Sequence, residues 1–208
     1  MFIKLLKFYM PDPIRKKKLD DLFRLTADAF QCEVPALQGL SFAERLTRYA
    51  SFTAEQADRC FQWEGSPDER KRKLDAVEEK LYRNSLLFGK NLKKSLRIKN
   101  WKQAVEALEL VYRIIGIDFR CGGPTRRGNG RLRSGRLYRG SRKNDGPYEF
   151  IIKKCFFSSR YTAEICSLIS ALDKGLAAGL SGGGNLRFSQ RITEGCGCCR
   201  GYFNPIKQ

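Results

Sequence analysis

The chain has 208 residues, 42% of them apolar, with 40 Lys and Arg against 22 Asp and Glu for a formal charge of +18, eight cysteines and no histidine. This composition is globular and long enough to bury a core, so disorder is excluded, and imidazole chemistry is excluded outright. No run of 18 apolar residues exists, which excludes a transmembrane span.

The basic excess is uneven: residues 1–121 carry 24 basic and 17 acidic side chains, whereas 122–208 carry 16 and 5. Met1 to Met10 is apolar but interrupted by Lys4 and Lys7, and no small-residue cleavage site precedes the Arg15 to Lys18 run. A helix or strand packed on the domain is expected there in preference to a secretory signal or a segment lying on a membrane. The protein is accordingly expected in the cytoplasm, its cysteines being thiols, ligands or reactive groups and not a disulfide framework.

A first helix is predicted after Asp12-Pro13, with Leu19, Leu22, Phe23 and Phe30 inward. Three capping boxes follow, Ser41-Phe-Ala-Glu44, Thr53-Ala-Glu-Gln56 and Ser66-Pro-Asp-Glu69, each pairing a hydroxyl that takes an orphan N–H with an acid or amide that reaches back. From Pro67 to about Leu96, the residues Leu74, Val77, Leu81, Phe88, Leu92 and Leu96 form one helical stripe. Trp101, Val105, Leu108, Val111, Tyr112 and Ile115 form another, stopped by Gly116. Beyond Gly116 the pattern changes to short β-like runs at Ile117 to Cys121, Tyr148 to Lys154, Leu186 to Ile192 and Cys199 to Phe203. A helix from about Arg160 to Leu180 separates the second run from the third, and Gly182 to Gly184 ends it. The fold class is therefore α+β: N-terminal helices followed by β-β-α-β-β with an antiparallel sheet. Residues 1–65 are expected to form an N-terminal helical segment and 66–208 an α+β domain, which the resemblance given below makes a ligand-binding one.

Between the first two strands lies an Arg- and Gly-rich stretch from Gly122 to Gly146, containing Arg126, Arg127, Arg131, Arg133, Arg136 and Arg139. It reads as a polar loop or an extra hairpin. Its guanidiniums make it a candidate for nucleic-acid phosphates or another anionic partner, against the simpler reading of a solvated loop.

The cysteines carry the most distinctive chemistry. Cys196 and Cys199 have the C-x2-C spacing that commonly supplies two thiolates to zinc or an iron–sulfur cluster, and Cys155 and Cys166 complete a set of four. Cys198, adjacent to Cys199, points away on an extended backbone and is the spare. Buried inert thiols are the competing reading, and a redox or nucleophilic thiol a third. Asp173 lies seven residues after Cys166, on the same helical face, and is a candidate ligand-binding acid.

Several features together resemble the 4-vinyl reductase type ligand-binding domain and the related L-2-amino-thiazoline-4-carboxylate hydrolase-like family. They are a helix containing Gly89, a helix closing on Gly116, a strand ending near Cys155, a helix with Cys166, and the terminal Thr193-Glu-Gly-Cys196-x2-Cys199-x3-Phe203. The resemblance covers roughly residues 75–203. It implies a small-molecule pocket between helices and sheet beside a zinc held by Cys166, Cys196 and Cys199, with Glu149 or Asp145 as the acid and Cys155 as a competing fourth donor. The final cysteine spacing is tighter than in the sensors of the first family, so zinc and an iron–sulfur cluster both stay open. The leading expectation is a sensor or accessory protein that binds a small molecule next to this metal. The others are a thiol-dependent hydrolase or isomerase using Cys166, Cys198 or Cys199, and nucleic-acid binding through the Arg-rich stretch. A homodimer is left open.

Overall fold

The computed structural model describes residues 11–124 and 147–204. The expectations placed on Met1 to Met10, on Arg126, Arg127, Arg131, Arg133, Arg136 and Arg139, and on Asp145 lie outside the described residues. Within them the fold is α+β. Five helices, α1 (Asp12–Phe30), α2 (Phe42–Phe61), α3 (Pro67–Ser95), α4 (Trp101–Ile114) and α5 (Ala163–Ser181), accompany four strands, β1 (Ile117–Pro124), β2 (Tyr148–Cys155), β3 (Asn185–Gln190) and β4 (Cys199–Asn204). The sheet is antiparallel with order β1-β2-β4-β3, so two hairpins joined by α5 meet along β2 and β4. None of the described helices is long and apolar enough to cross a membrane.

Strand residues alternate as a half-covered sheet requires. Phe119, Phe150, Ile152, Leu186, Cys199 and Phe203 are buried against the helices, while Glu149, Arg200 and Tyr202 lie on the other face. Phe150 pairs with Gly201 across the ladder, and a Cβ on Gly201 would sit 2.5 Å from the Phe150 ring. Only glycine leaves room for that ring over the sheet.

The boxes at Ser41 and Ser66 cap α2 and α3 as the sequence predicts: each hydroxyl accepts the N–H of Glu44 or Glu69 at 3.3 Å, and the carboxylate accepts the cap's own N–H. The start expected at Thr53 is corrected. Thr53 lies inside α2, where its buried hydroxyl donates back to the Tyr49 and Ala50 carbonyls and meets the Tyr161 hydroxyl. The apolar stripe of Phe42, Leu46, Tyr49, Ala50, Ala57 and Cys60 runs through without interruption, so burial outweighs a local capping signal.

Helices α3 and α5 run side by side in the same direction, since Ser85 meets Leu172, Gly89 meets Gly179 and Lys93 meets Gly182. Their contact is stripped of side chains. A Cβ on Gly175 would stand 2.2 Å from the Tyr82 carbonyl oxygen, and one on Gly179 2.4 Å from that of Leu86. Helix α5 is thereby held between α3 and the sheet, which fixes where its Cys166 and Asp173 lie. The N-terminal helices share this core: Phe23 packs on Tyr49 and Tyr49 on Phe157, with ring centroids 5.0 and 6.1 Å apart. The change in sequence character near residue 65 marks no break in packing.

Candidate functional site

Three thiols from separate parts of the chain gather at one end of α5. Cys166 lies in its first turn, Cys155 ends β2, and Cys199 opens β4. Asp173, two turns along α5 from Cys166, acts on all three thiols; Cys155 also feels Cys199 and Cys166, Cys199 feels Cys166 and Arg191, and Cys166 feels Arg191 and Glu194. A 3-10 turn at Ile192–Glu194 covers the group, ending on Gly195 in the left-handed region.

Asp173 is the centre of the electrostatics. Its Oδ1 accepts the Tyr112 hydroxyl at 2.8 Å, and Tyr112, from α4, is buried and stacked on Phe119. A buried Tyr hydroxyl needs such a partner. Burial pushes the Asp173 carboxyl up to about 6, against the Tyr112 hydrogen bond and the positive charges of Arg191 and Lys174, which pull it down. Desolvation therefore wins over three favourable contacts.

The same burial acts on the sulfurs. Cys155 is pushed up to about 12, while Cys166 and Cys199 are also raised by burial. Each has a counterweight: the Phe157 N–H at Cys155, the Thr193 hydroxyl beside Cys166, and the Ile192 N–H, which points at the Cys199 sulfur from 3.3 Å. All three are thiols at neutral pH, not thiolates.

Arg191 is tied down on one side only. Its Nη1 donates to Glu194 at 3.1 Å and its Nη2 lies 3.4 Å from the Ser170 hydroxyl, while the guanidinium faces the Phe188 ring. Its Nε is buried without a hydrogen-bond partner, and so is the Thr193 hydroxyl oxygen. The Thr193 hydroxyl is close enough to favour a Cys166 thiolate but makes no regular hydrogen bond. Buried polar atoms are normally paired, so a polar group placed beside Arg191 Nε and the Thr193 hydroxyl, next to the half-buried Asp173, would complete the network.

The residues singled out in the sequence separate into two sets. Cys155, Cys166, Cys199 and Asp173 come together. Cys196 sits just past the turn, partly buried, with its N–H donating to the Arg191 carbonyl at 3.3 Å. Cys198 takes the Gln190 amide at 3.5 Å. Glu149, the acid implied by the resemblance, is on the far face of the sheet, 3.7 Å from Arg200; the acid beside the thiols is Asp173. Tyr112 and Arg191 were not singled out from the sequence, and Thr193 entered only as the first residue of the terminal motif. The signal for Tyr112 was a hydroxyl inside an apolar stripe; Arg191 had none, since only the turn reveals its burial.

The donor chemistry, three sulfurs and a carboxylate, suits a soft metal. Among the described residues, no three Cys, Asp or Glu side chains converge as ligands to a common point. The sulfurs are neighbours, not a preformed cage. Two clefts lie outside the group: one of about 480 Å³ between α1 and α3, beside Phe88 and Leu92, and one of about 610 Å³ at the C-terminal end of α3. Comparison of the chain with protein-family models, with curated proteins and with solved structures finds no match.

Proposed function

We propose that this chain is a small-molecule-binding sensor or accessory protein whose site is the Cys155, Cys166 and Cys199 group beside Asp173, with a soft metal, zinc or an iron–sulfur centre, taken up by the thiols. The observation that carries this reading is the collection of three sulfurs from three separate elements near one half-buried acid, next to two orphaned polar atoms. The resemblance drawn on Cys166, Cys196 and Cys199 leads the same way, with Asp173 in the place given to Glu149 or Asp145.

Cys155, Cys166 and Cys199 would hold the metal and release their protons as they do so, with Cys196 as the fourth donor. The metal supplies a Lewis-acid or redox-responsive centre. Asp173 keeps Oδ1 on the Tyr112 hydroxyl and can hold or give up a proton at its other oxygen near pH 6. Arg191 Nε and the Thr193 hydroxyl offer hydrogen bonds that a polar ligand would complete. A thiol-dependent hydrolase has less support, because it needs a thiolate at neutral pH and burial drives these sulfurs the other way.

The test is elemental analysis and an absorption spectrum of protein purified without oxygen. About one zinc or one iron centre per chain is expected, lost in Cys166→Ser. The reading fails if neither metal is present, added zinc leaves the thermal midpoint unmoved, and Cys166→Ser changes nothing.

A further inference from the structure

The stretch from Lys80 to Lys102 carries eight basic side chains, at 80, 83, 90, 93, 94, 97, 99 and 102, and no acidic one. Lys80 is spent on Asp28 and Arg83 on Glu79. Five of the others, Lys90, Lys93, Lys94, Arg97 and Lys99, surround the 610 Å³ cleft at the end of α3, whose floor is Ile98, Gly179 and Gly182. Among the described residues none of the five makes an ion pair, and all but Lys93 are exposed.

Helix termini account for part of this charge and not the rest. The C-terminal ends of α3 and α5 both open here, and each presents roughly half a negative charge from its last carbonyls. Lys93 answers the α5 end directly, since a Cβ on Gly182 would stand 2.8 Å from its Nζ. Set against five cations, the two dipole ends leave about four positive charges around one concavity. Arg97 adds a second observation. It occupies the left-handed position after the α3 cap, φ 51°, with the Ile98 N–H on the Lys93 carbonyl and its own N–H on that of Lys94. Glycine is the unstrained residue at such a position. Gln31 does the same after α1, so the strain alone assigns nothing, but here it aims a guanidinium at the cleft.

We propose that the cleft ringed by Lys90, Lys93, Lys94, Arg97 and Lys99 binds a small anion carrying several phosphates. Four of the five cations are lysines, which suit phosphates as point charges. No aromatic side chain lines the cleft, so it lacks the stacking platform that single-stranded nucleic acid or a nucleotide base uses. A concavity of this volume takes a compact ligand, not a duplex.

The experiment is calorimetric titration of the full chain with inorganic tripolyphosphate, with sulfate, a short RNA duplex and phosphatidylserine vesicles as comparisons. Tripolyphosphate is expected to bind one per chain, more weakly as salt rises, and about tenfold more weakly in Lys94→Gln with Arg97→Gly. Arg97→Gly relieves the left-handed strain, so this variant should fold at least as well as the parent, and circular dichroism checks that it does. A control with the same loss of charge at exposed positions of the first turns of α3, Lys71→Gln with Arg72→Gln, should bind as the parent does. The proposal is overturned if sulfate binds as well as tripolyphosphate, or if the Lys94 and Arg97 variant keeps full affinity, which would place the anion elsewhere on this basic chain. It is overturned too if only RNA or vesicles bind and that variant abolishes their binding.

Discussion

Asp173 shows how one half-buried acid ties the site to stability. Its carboxyl titrates at about 6 in the folded chain against 3.8 as the ordinary value, so the folded state holds a proton that the unfolded state gives up between those pH values. Stability from this group is therefore highest below pH 3.8 and falls as pH rises to about 6, a loss on the order of 3 kcal/mol. The carboxylates at Asp28, Glu44, Glu69 and Glu164 are lowered by their hydrogen bonds and work in the opposite sense. The difference between parent and Asp173→Asn isolates the effect, because the amide oxygen still accepts the Tyr112 hydroxyl. In urea denaturation with chelator and reductant present, Asp173→Asn should gain on the parent by about 2 kcal/mol between pH 4 and pH 7. An equal difference at both pH values would show that Asp173 is not desolvated. Its place on the Cys166 face was readable from spacing alone; its burial and its tyrosine partner, 61 residues away in sequence, were not.

At the level of elements, the helix pair α3 and α5 has the most exacting geometry. The stripe Leu74, Val77, Leu81 was legible as a helix face, but nothing local said that Gly175 and Gly179 touch Ser85 and Gly89. A short-range pattern gives the period of a helix and not the identity of its neighbour, which also explains Thr53: a correct capping signature lost to a buried helix interior. Gly179→Ala would gain up to about 1 kcal/mol of helix propensity. Against this, the new methyl meets backbone, the Leu86 carbonyl at 2.4 Å and Gly89 at 2.8 Å, which cannot turn aside as a side chain would. Overpacking of this kind costs about 1–3 kcal/mol, and the Ser85 hydroxyl bond to the Leu172 carbonyl, 2.6 Å, would lengthen as well. The urea midpoint should fall, with a net loss of about 1 kcal/mol in stability. A variant as stable as the parent or more so would mean that the helices are not in backbone contact.

Across the whole molecule, the α+β order and antiparallel sheet followed from the change in periodicity after Gly116, because helix and strand periods are local properties of the chain. The site was legible only in part: Cys155, Cys166 and Cys199 stood out by chemistry, but the sheet order that brings β2 beside β4 places them together, and no local signal specifies that pairing. The same long-range packing joins the N-terminal helices to the rest. The Tyr161 hydroxyl, just before α5, meets the buried Thr53 hydroxyl of α2, and the Phe157 ring stacks on Tyr161 while touching Tyr49. Those aromatics belong to the connection between sheet and α5, so α1 and α2 cover the very segment that leads into Cys166. A chain built this way should unfold as one unit. In a Trp63→Phe background the emission of Trp101, packed on Phe203 at 4.0 Å, reports the sheet end, whereas far-ultraviolet circular dichroism is dominated by the helices. The two signals should give the same urea midpoint and slope. Tyr161→Phe with Thr53→Val, which removes both hydroxyls and leaves the shapes, should shift the two midpoints together; separate transitions would mean that residues 11–65 fold independently of the thiol site.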